Sequence, residues 1–409
     1  LRQVGIVNPL FGVEAVRSFI FVNQSCYRRQ EEIAMVRRFL FVNGYSEATN
    51  LAQTDMVIFF TCAFCKSRIA DMLQEIGRIR SVMKADCELI VGSCLPETGK
   101  EDLGAIFDGK TISPTDFSAL NLLPGITARI EEMEVLFGKE GSCSPERASA
   151  GRVAELPEVP LVGVATRLPG DNRLGLFIAS GCLRKCSYCA IRFATGKLRS
   201  KPLETVTQSV MAGLEKGYRR FEIYADSLGD YGLDIGTNLG ELLDWLLKHD
   251  GDFTVGIYDL HPQAFLKYFD AVMALCKAGK VHYLYVPVQS GNARLLKLMN
   301  RPCNLEALRA KLQEVREQSS VFLQTGVMVG FPGETDEEFS DTVAFLQEIQ
   351  FNDVYVHFYS DMPNTESSKM SNKVDRDCML RRLCQLEAAK IQLDSSKTRH
   401  EWSSIPVIN

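Results

Sequence analysis

From Leu174 onward the chain alternates six times between a short apolar run and a helical segment, and few architectures accept that rhythm. The runs are 176–180, 221–225, 253–258, 281–288, 321–329 and 353–359, with helical stretches near 203–217, 239–248, 262–278, 304–319 and 335–349. Such alternation predicts parallel strands joined by right-handed crossovers. Six repeats predict a partial (β/α)6 barrel rather than a closed eightfold one. Its site is expected at the carboxyl ends of the strands.

The first of these strands runs straight into Ser180–Gly196, where Cys182, Cys186 and Cys189 fall in the spacing CxxxCxxC. Structural zinc wants four ligands, usually in two separated pairs, whereas an iron–sulfur cluster accepts thiolates from one loop. Three thiolates leave one iron open to a substrate or cofactor. An aromatic residue, Tyr188, precedes the last cysteine. This pattern resembles the signature of the radical S-adenosylmethionine (SAM) superfamily. The resemblance implies a [4Fe–4S] cluster whose open iron chelates SAM and, once reduced, cleaves it to methionine and a 5′-deoxyadenosyl radical.

Residues 1–108 read as a separate small α/β unit. Strands are expected at 18–22, 56–60 and 88–91, with helices at 30–41 and 66–80. Cys26, Cys62 and Cys94 each follow one of these strands. Loops beyond the carboxyl ends of parallel strands gather on one edge, where ligands bind, so the fold is expected to collect these distant thiols. The plainer alternative is three separate buried cysteines acting as small hydrophobes. The stretches Asn23–Cys26, Phe60–Ala63 and Val91–Cys94 resemble the cysteine motifs of the methylthiotransferase family, and the likeness covers about residues 15–395. It implies a second [4Fe–4S] cluster on Cys26, Cys62 and Cys94, carrying the sulfur or methylthio group delivered to substrate. Cys65 lies outside the motif and is read as a spare thiol, an alternative ligand or a sulfur relay.

The expected fold class is therefore α/β: a doubly wound parallel-sheet domain (1–108) and a partial (β/α)6 barrel (173–372). Between them, 109–172 reads as a linker from its scattered Pro114, Pro124, Pro145, Pro157, Pro160 and Pro169, with one helix expected near 130–137. Cys143 within it reads as incidental. A C-terminal helix near 374–393 and a short tail complete the chain.

Motifs at the expected strand ends extend the resemblance. Tyr224–Ser227, Pro287–Gly291 with Leu298–Arg301, and Val329–Thr335 resemble the family's QDT, PLQSG, LxxMxR and GFPGET stretches. By that likeness Tyr188 packs against adenine. Asp226, Ser227, Gln289 and Ser290 approach the methionine part, the ribose or the substrate, and Arg301 binds SAM or a substrate anion. Gly330, Phe331 and Glu334 shape the adenine and ribose side. No Ser-His-Asp or paired-carboxylate arrangement stands out among five histidines.

Composition narrows the partners. The net charge of −5 offers no global attraction to phosphate backbones. Thirteen cysteines, an odd number in metal-like spacing, argue for a reducing, cytoplasmic setting over a disulfide framework. No run is long enough to span a bilayer, and no secretory signal opens the sequence.

Two departures from the family bear on substrate. In Phe358–Thr365 the family's YSxRxGT is altered, with Met362 and Asn364 replacing its Arg and Gly. After the last helix, 394–409 is too short for the β-barrel TRAM domain that family members acting on tRNA or a ribosomal protein usually carry. These features favour a peptide or protein side chain. The basic stretch Arg192, Lys197, Arg199 and Lys201 keeps tRNA as the alternative. The expected activity is methylthio insertion into an unactivated C–H bond, with a low-potential electron donor such as flavodoxin or ferredoxin. Its rivals are sulfur insertion without methylation and a non-enzymatic iron–sulfur scaffold.

Overall fold

In the strand Met56–Thr61 every residue is buried, which requires cover on both faces of its sheet. A computed structural model, which describes residues 17–137 and 173–393, shows that cover. Strands β1 (Ser18–Asn23), β2 (Ser46–Glu47), β3 (Met56–Thr61) and β4 (Glu88–Ser93) run parallel in the order β2-β1-β3-β4. Met56, Ile58 and Phe60 pack with Ile33, Val36 and Phe39 of the helix Gln30–Val42. Val57 and Phe59 face the other way, onto Ile69, Met72 and Ile76 of the helix Lys66–Val82. The two-residue period of β3 thus feeds two cores at once.

The second sheet holds β5 (Arg173–Ser180), β6 (Arg199–Ser200), β7 (Arg220–Ala225), β8 (Thr254–Ile257), β9 (Val281–Tyr285), β10 (Phe322–Val329) and β11 (Asp353–Phe358). Their order is β11-β10-β9-β8-β7-β5-β6, and every pairing is parallel except the short β6 against β5. The six expected barrel strands are all present. The two-residue strands β2 and β6 are too short to leave a periodic signal. The expected helix 262–278 is two, Pro262–Lys267 and Phe269–Lys277, broken at Tyr268.

The segment from 109 differs from its reading as a linker. Ile112, Phe117, Leu120, Leu123, Ile130 and Met133 are buried in the core of the first sheet, beside Phe19 and Phe60. Thr111 bridges Val91, extending that sheet's edge. Prolines and glycines broke the periodicity that would have revealed these contacts. Ile130–Phe137 is a 3₁₀ helix rather than an α-helix. Positions 138–172, with Cys143, and the tail 394–409 lie outside the described residues. Among the described residues no helix is long and apolar enough to cross a membrane.

Both departures in Phe358–Thr365 have local reasons. Met362 is buried in the apolar cluster where the helix Lys66–Val82 meets Ala190 and Ala194 of the cysteine loop. An arginine there would need a buried partner. Asn364 sits at φ +62, the left-handed region where glycine is at home and asparagine is tolerated.

Candidate active site

The strand ends deliver six thiols to one place. Cys62 directly follows β3, Cys94 follows β4 and Cys182 lies two residues beyond β5. With Cys26, Cys186 and Cys189 they line a single cavity of about 720 Å³ between the two sheets. Cys65 does not join them. It is buried beside Ser67 Oγ, at 3.2 Å, and faces a smaller cavity of about 320 Å³ under Phe358 and Met379. Among the described residues no cysteine is in a disulfide.

Burial governs the chemistry of these groups. It pushes the Cys62 thiol up to about 11, with Cys26 adding to the effect. It raises Cys94 well above the usual value, opposed by Arg29 and reinforced by Cys26 and Cys62. Cys182 is likewise pushed up to about 11 by burial, and Cys189 is raised by burial and by Cys186. Poorly solvated, mutually repelling thiols become a set of thiolates only around a cation. An iron–sulfur core is such a centre, and three thiolates per set suit it. Among the described residues no group of three or more His, Cys, Asp or Glu could hold a single metal ion.

The cysteine loop is held by backbone geometry. Gly181 has φ +80, and a Cβ there would lie 2.0 Å from the Lys197 carbonyl oxygen. The Arg184 N–H donates to Cys182 Sγ at 3.3 Å. Arg301, nearly buried, donates from Nη1 to Cys186 Sγ at 3.4 Å and from Nη2 to the Pro287 carbonyl at 2.8 Å. Hydrogen bonds of this kind would tune a cluster carried on these sulfurs.

The other expected site residues divide into two groups. Tyr188, Asp226, Ser227, Gln289 and Arg301 line the cavity with the thiols. Gln289 adopts φ +73, and its Oε1 is buried with no hydrogen-bond partner among the described residues. Ser290, Gly330, Phe331 and Glu334 stand behind that wall. Ser290 Oγ meets Thr342 Oγ1 at 3.2 Å, and Phe331 packs edge-on to Tyr188. Glu334 accepts from the Gly330 N–H at 2.6 Å and pairs with Arg382 at 2.7 Å.

Sequence reasoning passed over Tyr27, Arg28, Arg29, Asp259 and His261, which also line the cavity. Tyr27 Oη donates to Asp259 at 2.7 Å, and Arg28 pairs with the same carboxylate at 2.6 Å. Arg29 pairs with Asp226 and, at 2.6 Å, with Glu32. The available signal was a basic pair just after Cys26 facing acids just after two barrel strands. Burial, with Arg301 and Arg184 adding, pushes the His261 imidazole down to about 2, so it stays neutral. The basic stretch is partly spent inside the protein. Lys201 pairs with Glu31 at 2.6 Å, and Arg199 donates to the Pro114 carbonyl at 3.0 Å.

Both parts of the chain resemble known proteins. The Radical SAM superfamily matches residues 176–346, and the uncharacterized protein family UPF0004 matches residues 19–112. A probable threonylcarbamoyladenosine tRNA methylthiotransferase of Pyrococcus abyssi is 37% identical over 353 residues, 85% of this chain and 78% of the relative. This chain belongs to the radical SAM methylthiotransferase family. Another relative, the ribosomal protein uS12 methylthiotransferase RimO of Chlamydia pneumoniae, is 27% identical over 97% of this chain and 82% of its own length. Among solved structures, the radical SAM methyltransferase TsrM of Kitasatospora setae superposes with a TM-score of 0.57 at 14% identity, covering 86% of this chain and 77% of that one. That likeness concerns the fold alone. As a radical SAM methylthiotransferase the chain is an enzyme that uses a [4Fe–4S] cluster and SAM.

Proposed function

We propose that this enzyme inserts a methylthio group into an unactivated C–H bond using two [4Fe–4S] clusters. Cys182, Cys186 and Cys189 hold the SAM-cleaving cluster, and Cys26, Cys62 and Cys94 hold the sulfur-bearing one. The observation that carries this reading is the shared cavity, lined by both sets of thiols from two different sheets. When bound, the clusters supply the electron for SAM cleavage and the sulfur to be methylated. The chain's own residues do the rest. The cysteine loop orients SAM, Arg301 offers a fixed positive charge beside Cys186, and Tyr188 and Gln289 shape the SAM side of the wall. The apolar rings around the cavity keep water from a carbon radical.

For the substrate we favour a protein or peptide side chain. Supporting this, two members of the basic stretch, Arg199 and Lys201, are engaged within the protein rather than offered to phosphates. The uS12-modifying relative aligns over nearly the whole chain. A tRNA adenosine is the second reading, favoured by the 37% identity to a tRNA methylthiotransferase. The electron donor is assigned by chemistry to the low-potential flavodoxin or ferredoxin class.

Iron and sulfide analysis with low-temperature EPR tests the two-cluster reading, on anaerobically reconstituted wild type and a Cys182/Cys186/Cys189→Ala variant. The expected result is about eight irons in the wild type and about four in the variant. About four and none would leave a single-cluster enzyme. Product mass then separates methylthiolation from thiolation, and protein from tRNA.

A further inference from the structure

A continuous, largely buried chain of polar contacts runs between the two sets of thiols. Gly181, next to Cys182, donates its N–H to Asp226 Oδ2 at 2.9 Å. The other oxygen of Asp226 pairs with Arg29 Nη2. Arg29 Nη1 continues to Glu32 Oε1 at 2.6 Å. Glu32 Oε2 accepts from Ser93 Oγ at 3.4 Å, and Ser93 is next to Cys94. Arg29 itself lies three residues after Cys26. Its side chain is 1% exposed, and that of Asp226 3%.

We propose that Arg29, forked between Asp226 and Glu32, is a positioning residue that sets the separation and orientation of the two thiol triads. The inference rests on the two-cluster reading above. The guanidinium is planar and presents its donors at fixed angles, so it holds two carboxylates in a defined relation. In a dry site these contacts are stiff, because few waters compete for them. Both oxygens of Asp226 are engaged by protein, which makes it part of the strut. Arg28 and Tyr27, clasped by Asp259, form a more exposed parallel brace.

The spacing matters for one step and not for another. Cleaving SAM to the 5′-deoxyadenosyl radical needs only the centre on Cys182, Cys186 and Cys189. Methylating sulfide on the cluster that Cys26, Cys62 and Cys94 would hold needs the SAM methyl group to reach it. In that transfer the sulfonium C–S bond breaks, its electron pair stays on the departing thioether, and a sulfide lone pair forms the new C–S bond. The products are S-adenosylhomocysteine and a methylthiolate, and no reductant is consumed.

The test uses the full reconstituted chain and the variants Arg29→Met, Arg29→Lys and Glu32→Gln, with SAM, dithionite and inorganic sulfide as probes. Iron is counted first. Magnetic coupling between the two reduced clusters is read from EPR line broadening. S-adenosylhomocysteine and 5′-deoxyadenosine are then quantified together. In Arg29→Met with its iron retained, the coupling should change and S-adenosylhomocysteine should fall at least about tenfold, while 5′-deoxyadenosine stays within about twofold. Glu32→Gln should shift the product ratio the same way by less, and Arg29→Lys should recover part of the loss. Should Arg29→Met lose iron, Glu32→Gln decides. Unchanged coupling and an unchanged product ratio in an iron-replete variant would overturn the proposal, as would both products falling in step. About four irons in the wild type would remove the two-cluster reading and this inference with it.

Discussion

Gly181 and Asp226 are joined by a hydrogen bond of 2.9 Å from the glycine N–H to Oδ2, which ties the start of the cysteine loop to the end of the next barrel strand. The contact exists because Gly181 turns through φ +80, and a side chain there would strike the backbone of Lys197. Strain at such a position is tolerated only where the surroundings impose it.

Gly181→Ala should therefore displace the loop. The left-handed conformation alone costs on the order of 1–2 kcal/mol for an L-residue, and the clash with backbone adds to it. Reconstituted Gly181→Ala is expected to lose the irons proposed for Cys182, Cys186 and Cys189. Gly217→Ala is the control: its φ is +87 but nothing lies within 4 Å of the added carbon, so iron content should be unchanged.

Arg301 places a positive charge against Cys186 Sγ. A cation beside a ligand sulfur favours the electron-rich reduced state. Arg301→Met should move the reduction potential of the cluster in the negative direction by on the order of tens of millivolts, with Arg301→Lys moving it less. An EPR-monitored redox titration that found equal potentials would show that this arginine does not tune the centre.

Glu334 is buried against Gly330 and Arg382, and burial raises its carboxyl from the usual 4.5 to about 7. Between about pH 4.5 and about 7 the folded state therefore holds a proton that the unfolded chain releases. The stability this contributes is complete below about pH 4.5 and is lost as pH rises through about 7. Glu334→Gln abolishes that dependence. Denaturant unfolding of the two proteins should show the variant gaining on wild type between pH 5 and pH 7.5. Parallel curves would contradict this.

The helix Asp336–Ile349 starts with a reciprocal cap. Thr335 Oγ1 accepts from the Glu338 N–H at 3.3 Å, and Glu338 Oε2 accepts from the Thr335 N–H at 3.0 Å. Thr335→Ala should cost about 1 kcal/mol in equilibrium unfolding, with cluster content intact. An effect confined to iron loading would instead place Thr335 in the site.

Much of the architecture was legible because its signals are local. The apolar runs of β5, β7, β8, β9, β10 and β11 and the helices between them lie in short windows, where period and turn residues suffice. The positions of Cys26, Cys62 and Cys94 just after strands were enough to expect them on one edge, since parallel strands share a direction. Local patterning failed where Ile112, Phe117 and Leu120 pack without periodicity, and where Ser290 turns toward Thr342 instead of the cavity.

The strand–helix order, the loop that carries Cys182, Cys186 and Cys189, and the set of thiols available for chemistry can be read along the chain. Which side chains stand between those thiols depends on how the chain folds. Arg29 and Asp226 are 197 residues apart in the chain, and neither residue carries a local mark of its partner. Their pairing follows from how the two sheets dock. Docking buries charges that must then find each other, because a lone charge in that dry interface would be too costly to keep.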